Sequence, residues 1–267
     1  MNAILKYPGA KWQMASWIIS LFPSHDTYVE PFFGSGAVFF QKPLAKMTTI
    51  NDLDEDIYNF FKICRDQPEE LQRLLARTPW SRKEQKLAFE PTIEPLERAR
   101  RFAIRCHQTI GQPHHKTSGW RIQLQSGDSR IQRWIELPGI VPVICEKLRQ
   151  AHIECRPAVS VIKQSNFPNV LIYADPPYVM STIKTSGYMY SHNMTDKEHE
   201  ELIVALKAHS GYVLLSGYEN DLYNALLPDW TKRTKPSLTM ISTKRTEVVW
   251  INPKASAHLA QKSFFDA

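Results

Sequence analysis

The sequence predicts an α/β fold built on an open, mostly parallel sheet, with an insert in the middle of the chain. An apolar run at 170–174 ends abruptly at Asp175, a shorter strand ends at a loop with two glycines within 30–36, and a third strand ends at Asp52. Residues 57–149 interrupt this pattern with helical and polar stretches. Because ligands of open α/β sheets bind beyond the carboxyl ends of the strands, the three strand ends predict one shared site.

Length and composition bound the class of protein. The chain has 267 residues, of which 43% are hydrophobic, enough for one large domain or for a core domain with an insert. No apolar run approaches a membrane span, and the N-terminus lacks the pattern of a signal peptide, so we expect a cytoplasmic protein. The four cysteines form no CxxC pair and have no histidine at zinc spacing, so neither a disulfide framework nor a metal site is indicated.

The positive charge is concentrated in one segment. The net charge is +6, and between residues 97 and 133 eight basic residues stand against two acidic ones, so the remainder of the chain is balanced. A basic segment in an otherwise neutral protein indicates a polyanionic partner, most often nucleic acid. A solvated or core-supporting charged face is the open alternative.

The first motif, at residues 5–12, reads Leu-Lys-Tyr-Pro-Gly-Ala-Lys-Trp. A Pro-Gly turn flanked by two lysines and two aromatic residues could hold the carboxylate and the flat ring of a ligand, although Trp12 could also pack in the core. An apolar stripe with helical spacing follows between Trp17 and Phe22 and predicts a helix.

The second motif is a strand, a loop with two glycines and a predicted helix, within residues 27–40. Gly34 and Gly36 let the backbone approach a ligand closely, as in nucleotide-binding βα turns. There is no third glycine to complete GxGxxG and no Gly-Lys-Ser/Thr of a P-loop. The acidic Glu30 is poorly suited to phosphate, so the loop suits a nucleoside without a diphosphate, including a cationic one.

An acidic residue ends each of the next two strands. Asp52 follows the strand at 48–51, where such folds hold ribose hydroxyls; the alternative role of helix N-cap fits Asp54 better. At the end of the strand at 170–174, two prolines make a rigid corner from which Asp175, the Pro176 carbonyl and Tyr178 would project into the crevice. An Asp-Pro turn without further function is the plainer interpretation.

Together these motifs resemble the D12-class DNA adenine-N6 methyltransferases, the Dam-like alpha group, especially their phage and prophage members. Lys-Tyr-Pro-Gly-Ala-Lys at 6–11, Val-Glu-Pro-Phe-Phe-Gly-Ser-Gly at 29–36 and Ala-Asp-Pro-Pro-Tyr at 174–178 follow in the family's order. The resemblance covers most of 1–56 and 150–252. It implies a Rossmann-like S-adenosylmethionine-dependent methyltransferase sheet, mostly parallel with an antiparallel last strand, and an inserted, mainly helical target-recognition region.

The resemblance also implies which residues bind the methyl donor, S-adenosylmethionine. Tyr7 and Lys11 would contact it, and Asp52 would bind its ribose. The other expected cofactor residues are those of the loop after the first strand and the catalytic carboxylate: Glu30, Pro31, Phe32, Gly34, Ser35, Gly36 and Asp175. The corner would receive the target base through Asp175, Pro176, Pro177 and Tyr178.

The chemistry expected at the corner follows from the weak nucleophilicity of adenine's amino group. The Asp175 carboxylate and the Pro176 carbonyl would accept its two N–H protons and localise its lone pair, while Tyr178 stacks on the flipped base. Transfer would be a direct in-line displacement that releases a neutral thioether, so it needs no metal. Cytosine-N4 methylation and a catalytically silent DNA-binding regulator are the alternatives; methylation of protein glutamine would favour Asn at position 175.

The gap between the motifs predicts the DNA-recognition part of the molecule. We expect a catalytic and cofactor-binding domain at 1–56 and 150–267 and a target-recognition insert at 57–149. Arginine, glutamine and histidine interleaved with tryptophan suit phosphates, base edges and wedging into double-stranded DNA. The residues expected to contact DNA are Arg98, Arg101, Arg105, Lys116, Trp120, Arg121 and Arg130.

Two stretches after the catalytic strand complete the resemblance. Thr195 followed by Glu198 predicts a helix that begins with a capping box. This helix start lies within the segment at 189–199, which resembles the family's post-catalytic segment and would shape the target pocket. Residues 243–253 resemble the family's closing strand, where Arg245 and Glu247 would stand at the rim of the site. An ion pair between them on an edge strand is an equally open role.

The last segment, 254–267, has no assigned place in the predicted fold. Two adjacent phenylalanines near a terminus are costly to leave in water, so they could dock on the enzyme's own surface. Alternatively, Gln261, Phe264 and Phe265 resemble the short peptide by which bacterial replication proteins dock on the sliding clamp. We expect a monomer or weak dimer in a bacterium or a phage-infected host, with restriction-modification as one role open to it.

Overall fold

The computed structural model describes residues 3–110, 119–122, 130–182, 193–238 and 244–265. The strands within these ranges are β1 (Thr27–Glu30), β2 (Met47–Asn51), β3 (His152–Glu154), β4 (Val170–Ala174), β5 (Tyr212–Tyr218), β6 (Thr231–Leu238) and β7 (Lys244–Ile251). The α-helices are α1 (Ala15–Ser20), α2 (Glu55–Asp66), α3 (Pro68–Arg77), α4 (Arg82–Leu87), α5 (Pro95–Gln108), α6 (Arg130–Leu148), α7 (Ala158–Gln164), α8 (Asp196–Lys207), α9 (Asp221–Leu226) and α10 (Pro253–Phe265).

The strands form one sheet in the order β3-β2-β1-β4-β5-β7-β6. β1 pairs in parallel with β2 and β4, and parallel pairing continues to β3 on one side and to β5 on the other. β7 runs antiparallel to both of its neighbours, β5 and β6. The predicted α/β fold, mostly parallel with an antiparallel last strand, is confirmed.

The chain reverses its direction of travel across the sheet between β1 and β4. From β1 it proceeds outward to β2 and β3, and it then returns to β4 and continues to β5 on the opposite side. Val29 of β1 lies opposite Ile172 of β4, so the residues that follow these strands emerge at the same edge of the sheet. Such a reversal opens a crevice at the carboxyl ends of the two strands, which positions the site.

The helices of the predicted insert pack on one face of the sheet. A single hydrophobic cluster contains sheet residues such as Ile50 and Leu171 together with Phe61 of α2 and Phe102 of α5. The rings of Phe33, in the loop after β1, and Phe61 meet edge to face with centroids 4.8 Å apart. The segment at 57–149 is therefore mainly helical, and it shares its core with the sheet.

The opposite face of the sheet carries α7, α8 and α9. Val29, Ile172 and Val213 alternate with the residues of the first face and pack against Leu202 and Leu206 of α8. Because the central strands are covered on both faces, their sequences are continuous apolar runs, which is the pattern that predicted β4.

Local sequence signals fix two helix starts as predicted. The Asp54 carboxylate accepts from the Asp56 amide and caps α2. At α8 the Thr195 hydroxyl accepts from the Glu198 amide and the Glu198 carboxylate accepts from the Thr195 amide, so the predicted capping box is confirmed.

The helix predicted after Gly36 is wrong, because residues 37–41 form turns. The Phe40 amide donates to the Gly36 carbonyl at 2.9 Å and the Lys42 amide to the Val38 carbonyl at 3.0 Å, so the segment begins as a helical turn. Pro43 then stops it, since proline has no amide hydrogen and clashes with the preceding turn of a helix.

The segment predicted to have no place in the fold forms α10. Ala255 is buried, Leu259 packs against the core, and the hydroxyls of Thr231 and Ser256 lie 2.7 Å apart, which ties the helix to β6. Gln261 is exposed, and the side chains of Phe264 and Phe265 lie outside the described part of the chain. Across the ranges that the structure describes, no helix has the length and apolar character needed to cross a bilayer.

Candidate active site

A cavity of about 280 Å³ opens at the carboxyl ends of β1, β2 and β4. Its walls come from the N-terminal turn at 7–11, the loop after β1, the segment after β2, the corner after β4 and the starts of α7 and α8. This is the crevice in which an open α/β sheet binds its ligand.

The cavity brings together almost all of the residues predicted to bind the cofactor. Those in its wall are Tyr7, Lys11, Glu30, Pro31, Phe32, Gly34, Ser35, Asp52 and Asp175. Gly34 has φ +51°, and its Cα faces the Tyr7 ring, which a Cβ would approach to 3.4 Å. Gly36 lies behind the wall with φ +67°, where a Cβ would meet the rings of Phe33 and Phe40 at 2.5 Å, so packing excludes a larger residue.

Asp52 fixes the glycine loop from the neighbouring strand. Its Oδ2 accepts from the Gly34 amide at 2.7 Å, and its Oδ1 accepts from the Asp54 amide at 3.0 Å. Burial raises the pKa of Asp52 to about 7, although these amides favour the ionised form. The carboxyl group therefore holds the loop in place and carries less charge than an exposed aspartate would near neutral pH.

Glu30 is a buried carboxyl group at the end of β1. It is 2% exposed, and its Oε2 accepts from the Tyr28 hydroxyl at 2.7 Å. Burial raises the pKa of Glu30 to about 8, against the opposing effect of the hydrogen bond from Tyr28. The group is thus mostly neutral at pH 7, and a cation bound in the cavity would favour its ionised form.

Lys11 connects the N-terminal turn to the corner after β4. Its Nζ lies 2.8 Å from Asp175 Oδ1 and 3.4 Å from Glu247 Oε1, and it donates to the Tyr178 hydroxyl and the Gly9 carbonyl, both at 3.0 Å. Burial lowers the pKa of Lys11, but the nearby carboxylates outweigh it and raise that pKa well above its usual range. Lys11 is therefore a buried permanent cation.

The pKa values of the two carboxyl groups next to Lys11 are raised, whereas a simple ion pair with an ammonium would lower them. Burial raises the pKa of Asp175, with Lys11 opposing it, and burial raises the pKa of Glu247 to about 7. One ammonium is shared by two acids, the half-buried Asp175 and the buried Glu247. The charge of the Asp175 carboxyl group at the corner therefore depends on whether Lys11 remains beside it.

Tyr178 forms a stacked pair with Tyr218, the last residue of β5. The ring centroids are 4.2 Å apart and the planes differ by 21°. Tyr178 is only 9% exposed, and between it and Asp175 the buried Pro176 and the cavity-lining Pro177 hold the corner rigid. A base that stacks on the face now covered by Tyr218 must displace that ring.

The match to a family model decides what this site belongs to. The model of the D12 class of N6 adenine-specific DNA methyltransferases matches residues 7–91 and 143–241. The chain belongs to this family. The matched ranges contain the turn at 7–11, the glycine loop and the corner at Asp175, and the protein is an adenine-specific DNA methyltransferase.

Two further similarities accompany the family match. The methyltransferase is 23% identical over 277 residues to the Type II methyltransferase M1.LlaDCHI of Lactococcus lactis subsp. cremoris, an alignment that covers 94% of this chain and 95% of that protein. A solved structure of the putative methyltransferase yhhF from Escherichia coli aligns with 10% identity and a TM-score of 0.39, over 92% of this chain and 85% of that chain.

The methyltransferase site includes residues that the sequence did not nominate. Tyr218 ends a parallel strand at the active edge, and the rule that found Asp52 and Asp175 would have found it too. Glu247 was expected at the rim of the site, with an edge-strand ion pair to Arg245 as the open alternative. The edge-strand role is wrong, because β7 lies inside the sheet; Glu247 is 2% exposed and lies beside Lys11.

α8 also contributes to the wall of the cavity. Met194 and Glu198 belong to the segment at 189–199 that was expected to shape the target pocket, and both line the cavity. Glu201 and Leu202, one turn further along α8, line it as well and were not singled out from the sequence. Residues 183–192, which include part of the predicted pocket-shaping segment, lie outside the described residues, as does Thr243. The side chain of Arg245 is likewise not described.

The three arginines of α5 that were predicted to contact DNA are engaged in ion pairs with Asp56 of α2 and Glu97 of α5. Arg98 Nε pairs with Asp56 Oδ1 at 2.5 Å, Arg101 Nε pairs with Glu97 Oε1 at 2.7 Å, and Arg105 pairs with the second oxygen of Asp56. The side chains of Arg101 and Arg105 are 13% and 10% exposed. This geometry favours the alternative left open by the sequence, a core-supporting face.

The other predicted DNA residues of the methyltransferase gather around Trp120. The Arg82 guanidinium of α4 lies 5.1 Å from the centre of the Trp120 ring, and Arg130, at the start of α6, donates to a backbone carbonyl of the same segment. Arg121 follows Trp120 directly. Lys116 lies outside the described residues.

Proposed function

We propose that this DNA adenine-N6 methyltransferase takes its methyl group from S-adenosylmethionine held in the cavity, and that it acts on an adenine flipped out of double-stranded DNA. The single observation that carries the proposal is the convergence of the Asp175 corner and the acidic cavity at one edge of the sheet. The bound donor would supply an activated methyl group attached to a cationic sulfur.

The lining of the cavity supports a cationic nucleoside as the ligand. Tyr7 and Phe32 offer aromatic surface, and Gly34 allows close approach of the backbone. Carboxyl groups surround this surface, and they are Glu30, Asp52, Asp54, Asp175, Glu198 and Glu201. The raised pKa values of Glu30 and Asp52 add to the argument, because a bound cation would recover the ionisation that burial suppresses.

The corner supplies the acceptors for the target amine. The Asp175 carboxylate and the Pro176 carbonyl would each accept one N6–H, which localises the nitrogen lone pair for in-line attack. As the N–C bond forms and the S–C bond breaks, the nitrogen must lose a proton. Asp175 is suited to take it, because burial raises the pKa of this carboxyl group.

Stacking would offset part of the cost of extracting the base. Unpairing and unstacking a base costs a few kcal/mol. The Tyr178 ring is presented at the corner, and Tyr218 already stacks on it at 4.2 Å, so one aromatic ring can be exchanged for another there.

The DNA surface that we propose differs in part from the one predicted by charge alone. We retain Trp120, Arg121 and Arg130 and add residues of α4 and α6. This α4 surface comprises Arg82, Lys83, Lys86, Trp120, Arg121, Arg130 and Arg133, of which Arg82, the two lysines and Arg133 are exposed. Basic side chains around an aromatic ring suit a phosphate backbone and unstacked bases.

α5 is bonded to the segment that precedes the N-terminal turn. His107 Nε2 bonds to the Ile4 carbonyl at 2.9 Å, just before the turn that starts at Tyr7. The pKa of His107 is lowered to about 4, mainly by burial, and the positive charges of Lys6, Arg121 and Arg133 act in the same direction. We infer that DNA held by the α4 surface would reach the side of the cavity formed by the N-terminal turn.

The proposal is tested by incubating the purified enzyme with labelled S-adenosylmethionine and unmethylated genomic DNA. The DNA is then digested to nucleosides, and a parallel sample is read by single-molecule sequencing. We expect label in N6-methyladenine within one short sequence context. Label in N4-methylcytosine would show that the target base is cytosine rather than adenine. DNA binding without methyl transfer would indicate a catalytically silent regulator.

We also propose docking on the sliding clamp through Gln261, Phe264 and Phe265. The support is the sequence Gln-Lys-Ser-Phe-Phe and the exposure of Gln261 at the end of α10. A fluorescent peptide spanning 256–267 should bind purified clamp in the micromolar range, and Phe264→Ala with Phe265→Ala should abolish binding while methylation of free DNA persists. No binding, or unfolding of the double variant, would assign the tail to the fold.

The similarity to a Type II methyltransferase supports a role in restriction-modification. We place the enzyme's action in the cytoplasm of a bacterium or a phage-infected host, as a monomer or weak dimer. Methylation-sensitive digestion of the host genome, with and without the gene, would reveal the protected sites.

A further inference from the structure

Lys11 has more acceptors around it than protons to donate. A lysine ammonium carries three N–H donors. Asp175 Oδ1, the Tyr178 hydroxyl and the Gly9 carbonyl all lie within 3.0 Å of Nζ. Glu247 Oε1 is a fourth acceptor at 3.4 Å, and among the described residues this buried oxygen has no hydrogen-bond partner.

Glu247 is held in position by the sheet. It lies on β7 opposite Tyr218 of β5 and Lys235 of β6. Lys235 extends towards Trp17, beside the first turn of α1, with Nζ 5.9 Å from the ring centre. The charged groups of other elements that face Glu247 are Lys11 and Asp175. Lys11 lowers the pKa of Glu247, and Asp175 raises it.

We propose that Glu247 is a positioning residue for methyl transfer, which takes Lys11 as its counter-ion when the target amine binds to Asp175. The inference rests on the proposed role of Asp175. The required movement is small, because Nζ already lies 2.8 Å from Asp175 Oδ1 and 3.4 Å from Glu247 Oε1.

The exchange has a physical reason. A carboxylate compensated by an ammonium is a weaker acceptor for a second donor than a carboxylate that is free of it. Moving a buried ammonium away from its only partner would leave uncompensated charges, which is strongly unfavourable. A second carboxylate 3.4 Å from Lys11 Nζ removes that penalty, and Asp175 is freed to accept the adenine N6–H.

The exchange requires an ionised Glu247. Burial, opposed by Lys11, raises the pKa of Glu247 to about 7, so the residue is ionised above that pH and protonated below it. Asp175 loses its charge in the same direction as the pH falls. Because both groups affect the pH dependence of the rate, the contribution of Glu247 is measured as the difference between the pH–rate profiles of wild type and a Glu247 variant.

The test is Glu247→Gln, which keeps the shape and removes the charge. At pH 8 the single-turnover rate of methyl transfer should fall about tenfold or more, within the range of coupling between contacting residues. The affinities for S-adenosylmethionine and for DNA should stay within about threefold of wild type. The gap in rate between wild type and variant should close as the pH is lowered below about 7, because wild-type Glu247 then carries a proton.

A double-variant cycle separates this role from a structural one. In a Lys11→Met background, Glu247→Gln should produce no further loss, because its partner is gone. Glu219→Gln is the control, since Glu219 follows Tyr218, is exposed and pairs with Lys232 at 3.0 Å; it should leave the rate unchanged.

Two results would overturn the inference: a wild-type rate for Glu247→Gln at pH 8, or the same loss with and without Lys11. If Glu247→Gln does not fold, Glu247→Asp is the substitute, because it keeps the charge and should retain the pH dependence of the rate. A Glu247→Asp enzyme without that pH dependence would also contradict the inference. A failure of the proposed function itself is distinguishable, because wild type would then transfer no methyl group to adenine.

Discussion

Charged groups are arranged in opposite ways in the predicted insert and in the cavity. In the insert, Arg100 and Arg101 both bond to Glu97 at 2.7 Å, and these bonds lower the pKa of Glu97. In the cavity, burial raises the pKa of Glu30 to about 8 and that of Asp52 to about 7. Carboxylates of the insert are matched by cations, whereas those of the site are in excess.

This difference indicates that unmatched acidic groups, rather than matched ion pairs, mark a ligand site. Matched pairs satisfy one another and tie helices together, which leaves little for a ligand to gain. A buried acid without a full complement of cations gains charge stabilisation when a cationic ligand binds. The concentration of arginine on α5 was the more conspicuous signal in the sequence, yet the ion pairs of α5 point to a structural role.

The largest expected effect on the cavity side of this comparison is at Asp52, whose loss should weaken binding of the cofactor. Asp52→Ala removes the acceptor for the Gly34 amide and the acid expected to bind ribose, so affinity for S-adenosylmethionine should fall about 10- to 100-fold, as for loss of hydrogen bonds to a charged group. Calorimetry gives the affinity. An unchanged value would remove Asp52 from the cofactor site, and Asp52→Asn controls for collapse of the loop.

DNA binding provides the next largest expected effect and contrasts the two groups of basic residues directly. Replacing Arg82, Lys83 and Lys86 by Gln should weaken DNA binding and flatten the plot of log affinity against log salt by roughly 0.9 for each phosphate that is no longer neutralised. Fluorescence anisotropy over a range of salt concentrations measures the slope.

The matched control is Arg98→Gln with Arg101→Gln, which removes the same kind of charge from α5. Because these arginines pair with Asp56 and Glu97, the control should leave the salt slope unchanged and lower the free energy of unfolding. A reduced slope for the control, together with a normal slope for the α4 variant, would return the DNA interface to α5.

The smallest effect concerns the pH dependence of stability through Glu30. The folded protein binds the Glu30 proton more tightly than the unfolded chain, since the pKa is about 8 rather than the ordinary 4.5. The free energy of unfolding should therefore decrease as the pH rises from about 5 to about 8, and level off above that. Glu30→Gln should weaken this decrease, as measured by denaturant unfolding without cofactor, and parallel curves for wild type and variant would contradict it.

Much of the fold could be predicted because its signals are local. The apolar run of β4, the Asp54 cap and the capping box at Thr195 each lie within a few residues of sequence, and each was predicted. β6 was not predicted, because Thr-Lys-Arg-Thr-Lys-Pro-Ser-Leu has no apolar alternation; it is an edge strand rich in polar residues.

The site was predictable to the extent that it is made of strand ends. The roles of Glu247 and α5 were not, because they depend on pairing between distant segments. Placing β7 between β5 and β6 removes Glu247 from the edge of the sheet and buries it, and Asp56 meets Arg98 across 42 positions of the chain. No property of either segment alone encodes these contacts.

The most direct measurement of the corner's role is methyl transfer by Asp175→Ala alongside its binding of S-adenosylmethionine. The carboxylate is assigned to the target amine, so the variant should transfer no detectable methyl group to DNA while its cofactor affinity stays within an order of magnitude of wild type. Methylation above a few per cent of the wild-type rate, set against a general-catalysis contribution of about 10²- to 10⁴-fold, would contradict the mechanism.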